Sequence, residues 1–169
     1  MLCVIAKLDE AARERLLNVQ KIVTEFGLQR RALYGHITLA TFIQGEEAQR
    51  IGKCKAALKE AAPVRVRFKE IAEFTETSVV AAIPEKTEAL AALRRRAVGD
   101  GERLLDRWTR CAVWQPHTTL VHQPGMELAQ VCAAMQSAFE PFETWVERIE
   151  FSRVEDGRCE VVDGLDLHR

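Results

Sequence analysis

The sequence has no apolar run approaching the roughly 18 residues that a membrane-spanning helix requires, no Cys-x-x-Cys pair, and no excess of charge of either sign. Each lack excludes something. A helical membrane span is ruled out by the first. The five cysteines, Cys3, Cys54, Cys111, Cys132 and Cys159, are odd in number and widely dispersed, which speaks against a disulfide framework or a zinc ribbon and predicts free thiols in a reducing compartment. With 24 Lys and Arg against 25 Asp and Glu, the chain lacks the positive field of a groove that tracks many phosphates, whereas a site gripping one nucleotide end needs few positive charges. No basic segment precedes the short apolar start at 2–6, so the expectation is a cytoplasmic monomer with no membrane partner.

What is present is an ordinary globular composition, 47% hydrophobic over 169 residues, enough for one domain spanning 1–169 with its own core. Apolar spacing predicts a strand over 2–8, then a helix over 11–26 capped by Asp9 and closed by Gly27. A strand at 36–43 follows, then a helix over 46–61 between Gly45 and Pro63. Alternation from Val64 predicts a hairpin with a second strand at 78–83. Pro84 is expected to start a helix over 85–97, and the Gly99-Asp100-Gly101 break to lead into a further helical piece ending near Arg107. A strand at 111–114 or 117–123 comes next. Pro124-Gly125 is expected to start a helix reaching Phe139, before a last hairpin near 144–152 and 159–162. Strand, helix and hairpin thus recur, approximately over 34–83 and 115–164, and predict an internal duplication whose copies face each other.

Two tetrapeptides stand at matching places in that repeat, His36-Ile37-Thr38-Leu39 and His117-Thr118-Thr119-Leu120. Residues i and i+2 of a strand share a face, so His36 with Thr38, and His117 with Thr119, each line a cleft, while Ile37, Leu39, Thr118 and Leu120 point inward or sideways. At ordinary composition two of four histidines carry this pattern by chance on the order of once in a thousand sequences. That rarity favours chemistry over the plainer alternative of partly buried strand histidines beside β-forming threonines. Two imidazoles can act as general acid and base around one phosphate, and two hydroxyls can hydrogen-bond its non-bridging oxygens. His117 and His122 lie an odd number of residues apart, so on a regular strand they face opposite sides and cannot share an ion. No carboxylate or cysteine stands at a clear ligand spacing, Cys111 near His117 being the best and still poor candidate, and no metal site is expected.

The segments Tyr34-Gly35-His36-Ile37-Thr38-Leu39-Ala40 and Trp114-Gln115-Pro116-His117-Thr118-Thr119-Leu120-Val121 resemble the paired His-x-Thr/Ser motifs of the 2H phosphoesterase superfamily, which includes 2′-5′ RNA ligases and RNA 2′,3′-cyclic phosphodiesterases. The likeness covers nearly the whole chain. It implies an α+β fold of two pseudo-symmetric lobes, antiparallel sheets flanked by helices, with both motifs in a central cleft. It further implies catalysis by His36 and His117, phosphate binding by Thr38 and Thr119, no cofactor, and a small nucleotide or RNA terminus as substrate. Tyr34 and Trp114 are candidates for base stacking or for bounding the cleft, Trp114 equally a core residue. Arg65, Arg67 and Lys69 read as the solvated side of a strand, Arg94-Arg95-Arg96 as helix surface, His122 as a neighbour of the site in sequence only, and His168 as incidental. Two other classes remain open on sequence: a nucleotide-binding protein without turnover, and a metal-dependent hydrolase.

Overall fold

Leu2, Val4, Ala6 and Leu8 are buried on one face of strand β1, Leu2–Leu8, and the strand ends where Asp9 caps the next element. The Asp9 carboxylate accepts the Ala12 N–H at 2.7 Å, satisfying one of the donors that a helix start leaves open. This computed structural model describes residues 1–30, 32–156 and 158–168. Helix α1 runs Glu10–Gln20, and the continuation expected to Phe26 tightens instead into a 3-10 segment, Lys21–Phe26, closed by Gly27. Strand β2, His36–Phe42, and helix α2, Glu47–Leu58, follow.

Strands β3, Val64–Phe74, and β4, Val79–Pro84, form the expected antiparallel hairpin. Pro84 closes β4 rather than opening a helix, because Glu85 N–H still donates to Arg67 O at 2.8 Å along the strand partner. Helix α3, Glu88–Val98, starts at Thr87, whose hydroxyl accepts the Leu90 N–H. The helical piece expected to Arg107 is only a 3-10 turn, Glu102–Leu104. Beyond it the end of β2 takes over the backbone: Ile43 N–H donates to Leu104 O and Asp106 N–H to Thr41 O, at 3.0 and 2.8 Å. Residues 111–113 form a turn, not a strand. Strand β5 is Thr118–His122, and helix α4, Ala129–Ala138, begins well after Pro124-Gly125, once Leu128 N–H has reached Glu73 Oε1 at 3.3 Å. Strands β6, Phe142–Glu155, and β7, Arg158–Asp166, complete the chain.

Among the described residues, four α-helices and a seven-stranded antiparallel sheet make an α+β fold. The resemblance implies antiparallel sheets in two lobes. Long β6 joins them: it pairs with β1 along 146–153, with β3 along 142–146 and with β7 along 148–155, giving the order β2-β1-β6-β3-β4-β5 with β7 also on β6. The two motif strands, β2 and β5, are therefore the two ends of that order. The main core lies between the sheet and the helices, where Leu16, Leu58, Leu90 and Met135 meet Ile37, Leu39, Phe68 and Phe151, all essentially inaccessible to water. Burial of this apolar surface at roughly 25 cal/mol per Å² supplies the main drive for folding. A smaller cluster of Val79, Ala81 and Ile83 with Phe74 covers the opposite face of β3 and β4.

Candidate active site

Both His-x-Thr segments are bent by the same irregularity. On β2, Thr38 faces Ile5 and Ala40 faces Val4, leaving Leu39 as the extra residue; on β5, Thr119 faces Ala81 and Val121 faces Val80, leaving Leu120 as the extra residue. A β-bulge reverses the alternation beyond it. Ile37, Leu39, Thr118 and Leu120 are buried as the strand parity predicts, while His36 and Thr38, and His117 and Thr119, share the more open faces. Past the bulge parity no longer holds, and this corrects the expectation for His122. It is exposed and lines the same cavity as His117, because Leu120 takes up the odd residue between them.

The two end strands are held together by side chains instead of a backbone ladder. Thr118 Oγ1 donates to His36 O, and the indole Nε1 of Trp114 donates to Thr38 O, each at 2.9 Å. Trp114 is thus buried as a clasp, 4% exposed, and is unavailable for base stacking. Lys86 Nζ donates to Trp114 O at 2.9 Å, and the Arg94 guanidinium lies 5.2 Å from the indole ring. Arg94 is not helix surface as expected: it is 3% exposed and donates to Thr109 O, whereas Arg95 and Arg96 are exposed.

The surroundings of the two imidazoles differ. Lys7 is the cross-strand neighbour of His36, donates to Tyr34 O, and sits 3.4 Å above the Tyr34 ring. Tyr34 in turn donates through its hydroxyl to Glu150 Oε2 at 2.6 Å, and Glu150 is also paired with Arg148. Gly164 leaves room for that guanidinium, since a Cβ there would run into it. Burial, then the Lys7 charge and the His117 imidazole, push the His36 pKa down to about 4 against the opposing pull of Glu150. The buried Nδ1 of His36 has no partner. His117 is lowered as well, chiefly by burial, but its Nδ1 lies 2.8 Å from Gln115 O, which favours the imidazolium. The ring of Phe74 meets His117 edge-on at 5.0 Å. Burial, helped by the bond to Glu150, pushes the Tyr34 hydroxyl up to about 12, so it stays a donor at neutral pH.

Among the described residues, neither the Thr38 nor the Thr119 hydroxyl has a hydrogen-bond partner within the protein. They are free to receive a ligand. Before His36, Gly35 adopts φ +73° and its carbonyl accepts Leu8 N–H at 3.0 Å; a Cβ there would lie 3.0 Å from Arg13 Cγ, so the turn into the motif needs glycine. Arg65, Arg67 and Lys69 pair with Glu143, Glu85 and Glu70 on the exposed side of β3, away from this chemistry. No group of three or more His, Cys, Asp or Glu among the described residues is placed to hold a metal ion. Lys7, Thr118, Glu150 and Arg94 were not among the residues expected from sequence. Only Lys7 carried a signal, as the one charged residue inside the apolar strand Leu2–Leu8.

The sequence model of the 2′-5′ RNA ligase superfamily matches residues 8–158. The chain belongs to this superfamily, the 2H phosphoesterases. Solved relatives carry the same fold: LigT of E. coli, 15% identical with a TM-score of 0.66 over 99% of this chain and 97% of that one, and TT0787 of Thermus thermophilus, 21% identical with a TM-score of 0.67 over 98% and 97%. Usb1 of Kluyveromyces marxianus is more distant, 12% identical with a TM-score of 0.51 over 95% and 96%. LigT has been crystallised with ATP, 3′-AMP, phosphate and NADP+. No curated protein matches this 2H phosphoesterase in sequence. No helix among its described residues is long and apolar enough to cross a membrane.

Proposed function

We propose that this 2H phosphoesterase opens a 2′,3′-cyclic phosphate, or cleaves a 2′-5′ phosphodiester, at the end of a nucleotide or RNA, with His36 and His117 as general base and acid and without a metal. The observation that carries this is that Thr118 Oγ1 and Trp114 Nε1 bind the carbonyls of His36 and Thr38, which holds the two His-x-Thr segments side by side. Thr38 and Thr119 bind the non-bridging oxygens, where charge shifts in the transition state. The nucleotides and phosphate held by LigT are in keeping with a phosphate between the two walls. The two copies of the motif stem from a duplicated unit.

Roles follow from the surroundings. Both imidazoles are pushed toward the neutral form, so the bound phosphate anion must stabilise the one imidazolium that the reaction needs. That proton resides more readily at His117, which has the Gln115 carbonyl behind its Nδ1, than at His36, which has Lys7 beside it and no partner for Nδ1. In hydrolysis His36 takes a proton from water, the water oxygen bonds to phosphorus, the bond from phosphorus to one ribose oxygen breaks, and His117 gives its proton to that oxygen. The product is a phosphomonoester, and exchange with solvent resets both rings. The same sequence, with the hydroxyl of a second molecule attacking in place of water, is ligation to a phosphodiester.

A panel of 2′,3′-cyclic nucleotides, cyclic-phosphate RNA ends and 2′-5′ oligomers, assayed in chelator with wild type, His36→Ala and His117→Ala, tests this. Turnover by wild type only, with all three proteins folded, is expected. Binding without turnover across the panel, or activity that chelation abolishes, overturns the proposal in favour of a binding protein or a metal-dependent hydrolase.

A further inference from the structure

Helix α1 reaches the backbone of both motif segments. At the first, the Arg13 stem lies against Gly35, with Cγ 3.0 Å from where a Cβ would stand, and Arg13 Nη1 donates to Leu33 O at 3.4 Å. Two helical turns further along the same face, the Gln20 Nε2 donates to Leu120 O at 2.8 Å. Leu120 is the bulge residue of β5, left over where Thr119 faces Ala81 and Val121 faces Val80. The extra residue of a bulge goes unpaired and the ladder around it is disrupted; the amide supplies a donor at that point. A glutamine here is otherwise costly. Gln20 is 2% exposed, and among the described residues its buried Oε1 has no hydrogen-bond partner. A buried acceptor without a donor lowers stability, so a side chain that merely filled this place would be apolar. The helix that carries Gln20 is firmly seated, with Leu16 and Val19 buried and Asp9 Oδ2 accepting Thr144 Oγ1 from β6 at 2.7 Å.

We propose that Gln20 is a positioning residue whose amide fixes Leu120 as the extra residue of β5 and thereby aims His117 and Thr119 into the cleft. The inference rests on the functional proposal above, which gives those two side chains their work. Two regular ladders compete with the bulged one. Carrying the register of Val121 with Val80 back along β5 would set Thr119 opposite Ala82, on the core side, because a slip of one residue turns every side chain to the other face. Carrying the register of Thr119 with Ala81 forward would set His122 opposite Ser78 and displace the bond from Gln123 N–H to Ser78 O. Only the bulge keeps both the motif face and the end of the strand, and Gln20 holds the bulge. The first motif has its own brace one residue from its bulge at Leu39, where Trp114 Nε1 binds Thr38 O.

The test measures kcat on a 2′,3′-cyclic nucleotide, and the proton–nitrogen correlation spectrum of the imidazoles, in two variants. Gln20→Met keeps the length of the side chain without its donor, and Gln20→Asn keeps the amide but draws it back by a methylene. A loss of about tenfold or more in kcat is expected, the scale on which a misplacement of about 1 Å acts, with the His117 ring signals displaced and those of His36 unchanged. The loss should not multiply with that of Thr119→Ala, which acts on the same wall, and should multiply with that of Thr38→Ala on the other. Wild-type kcat and His117 signals in the variants overturn the inference, as do equal displacements of both rings, which would mean a general loosening. Gln20→Asn decides if Gln20→Met does not fold. His36→Ala and His117→Ala separate the two claims: if they keep wild-type turnover the proposed function falls and the ring spectra still judge Gln20, whereas if they abolish it while the Gln20 variants match wild type, only the positioning role falls.

Discussion

The wall built on β1 and β2 and the wall built on β4 and β5 share a motif, an edge position and a bulge, yet they differ in charge. Beside His36 stand Lys7, Tyr34, Glu150 and Arg148, a chain of ion pairs and hydrogen bonds running into β6. On β4, two residues past the partner of its motif threonine, comes Ile83; on β1 the residue in that place is Lys7. The second wall has Phe74 and the Val79, Ala81, Ile83 cluster instead, with the Gln115 carbonyl as a polar anchor of His117. Like backbones thus present unlike environments, and unlike environments are what separate an acid from a base when both are histidine.

The largest way to break the comparison is to remove either ring. His36→Ala or His117→Ala is expected to lower kcat by about 10²–10⁴-fold, the usual contribution of one positioned acid or base, with far-UV circular dichroism unchanged. Next comes the clasp. Thr118→Val removes the hydroxyl that reaches His36 O while keeping the shape, and an increase in spacing between the walls should cost about tenfold in kcat with KM little affected. Thr118→Ser restores the bond and most of the rate. Trp114→Phe tests the other bond in the same way, and a kcat equal to wild type in both variants would show that the clasp does not position the pair.

Stability against pH sharpens the asymmetry. His36 stays neutral in the folded protein down to about pH 4, whereas the unfolded chain takes up that proton near its ordinary value of about 6.5. The unfolded state therefore binds more protons in between, and His36 contributes stability that is present above about pH 6.5 and is lost as pH falls toward 4, on the order of 3 kcal/mol in all. Urea unfolding at pH 7 and pH 4.5 should show a smaller acid loss for His36→Gln than for wild type. The smallest effect is the most specific. Lys7→Met removes a cation beside His36, which raises that pKa, so the acidic limb of kcat/KM should move to higher pH; an unmoved limb would mean that Lys7 does not tune the base.

How far the sequence carried is clearest at β5. The repeated tetrapeptide and strand parity place His117, Thr118, Thr119 and Leu120 on their observed faces, because local alternation is enough over four residues. One residue further it fails. The bulge at Leu120 depends on how β5 registers against β4, a long-range pairing, and it turns His122 toward the cavity that parity had denied it. The start of α3 and the missing helix before Arg107 have similar causes, since the backbone there is claimed by β3 or by the end of β2 from far along the chain. Arg94 and Trp114 could not be read as a buried clasp from a basic triplet and a lone aromatic, whose partners, Thr109 and Thr38, are set only by the closed fold. Gly27, Asp9 and the β3–β4 hairpin were legible because their conformations are decided within a few residues.

Turnover of a 2′,3′-cyclic nucleotide by the His36→Ala/His117→Ala double variant, set beside the two single variants, tests the central claim most directly. If the histidines act as one unit around one phosphate, the double variant loses no more than the worse single variant, because the second ring has nothing left to do once the first is gone. Losses that multiply, or a double variant as active as wild type, would contradict a paired acid and base at this site.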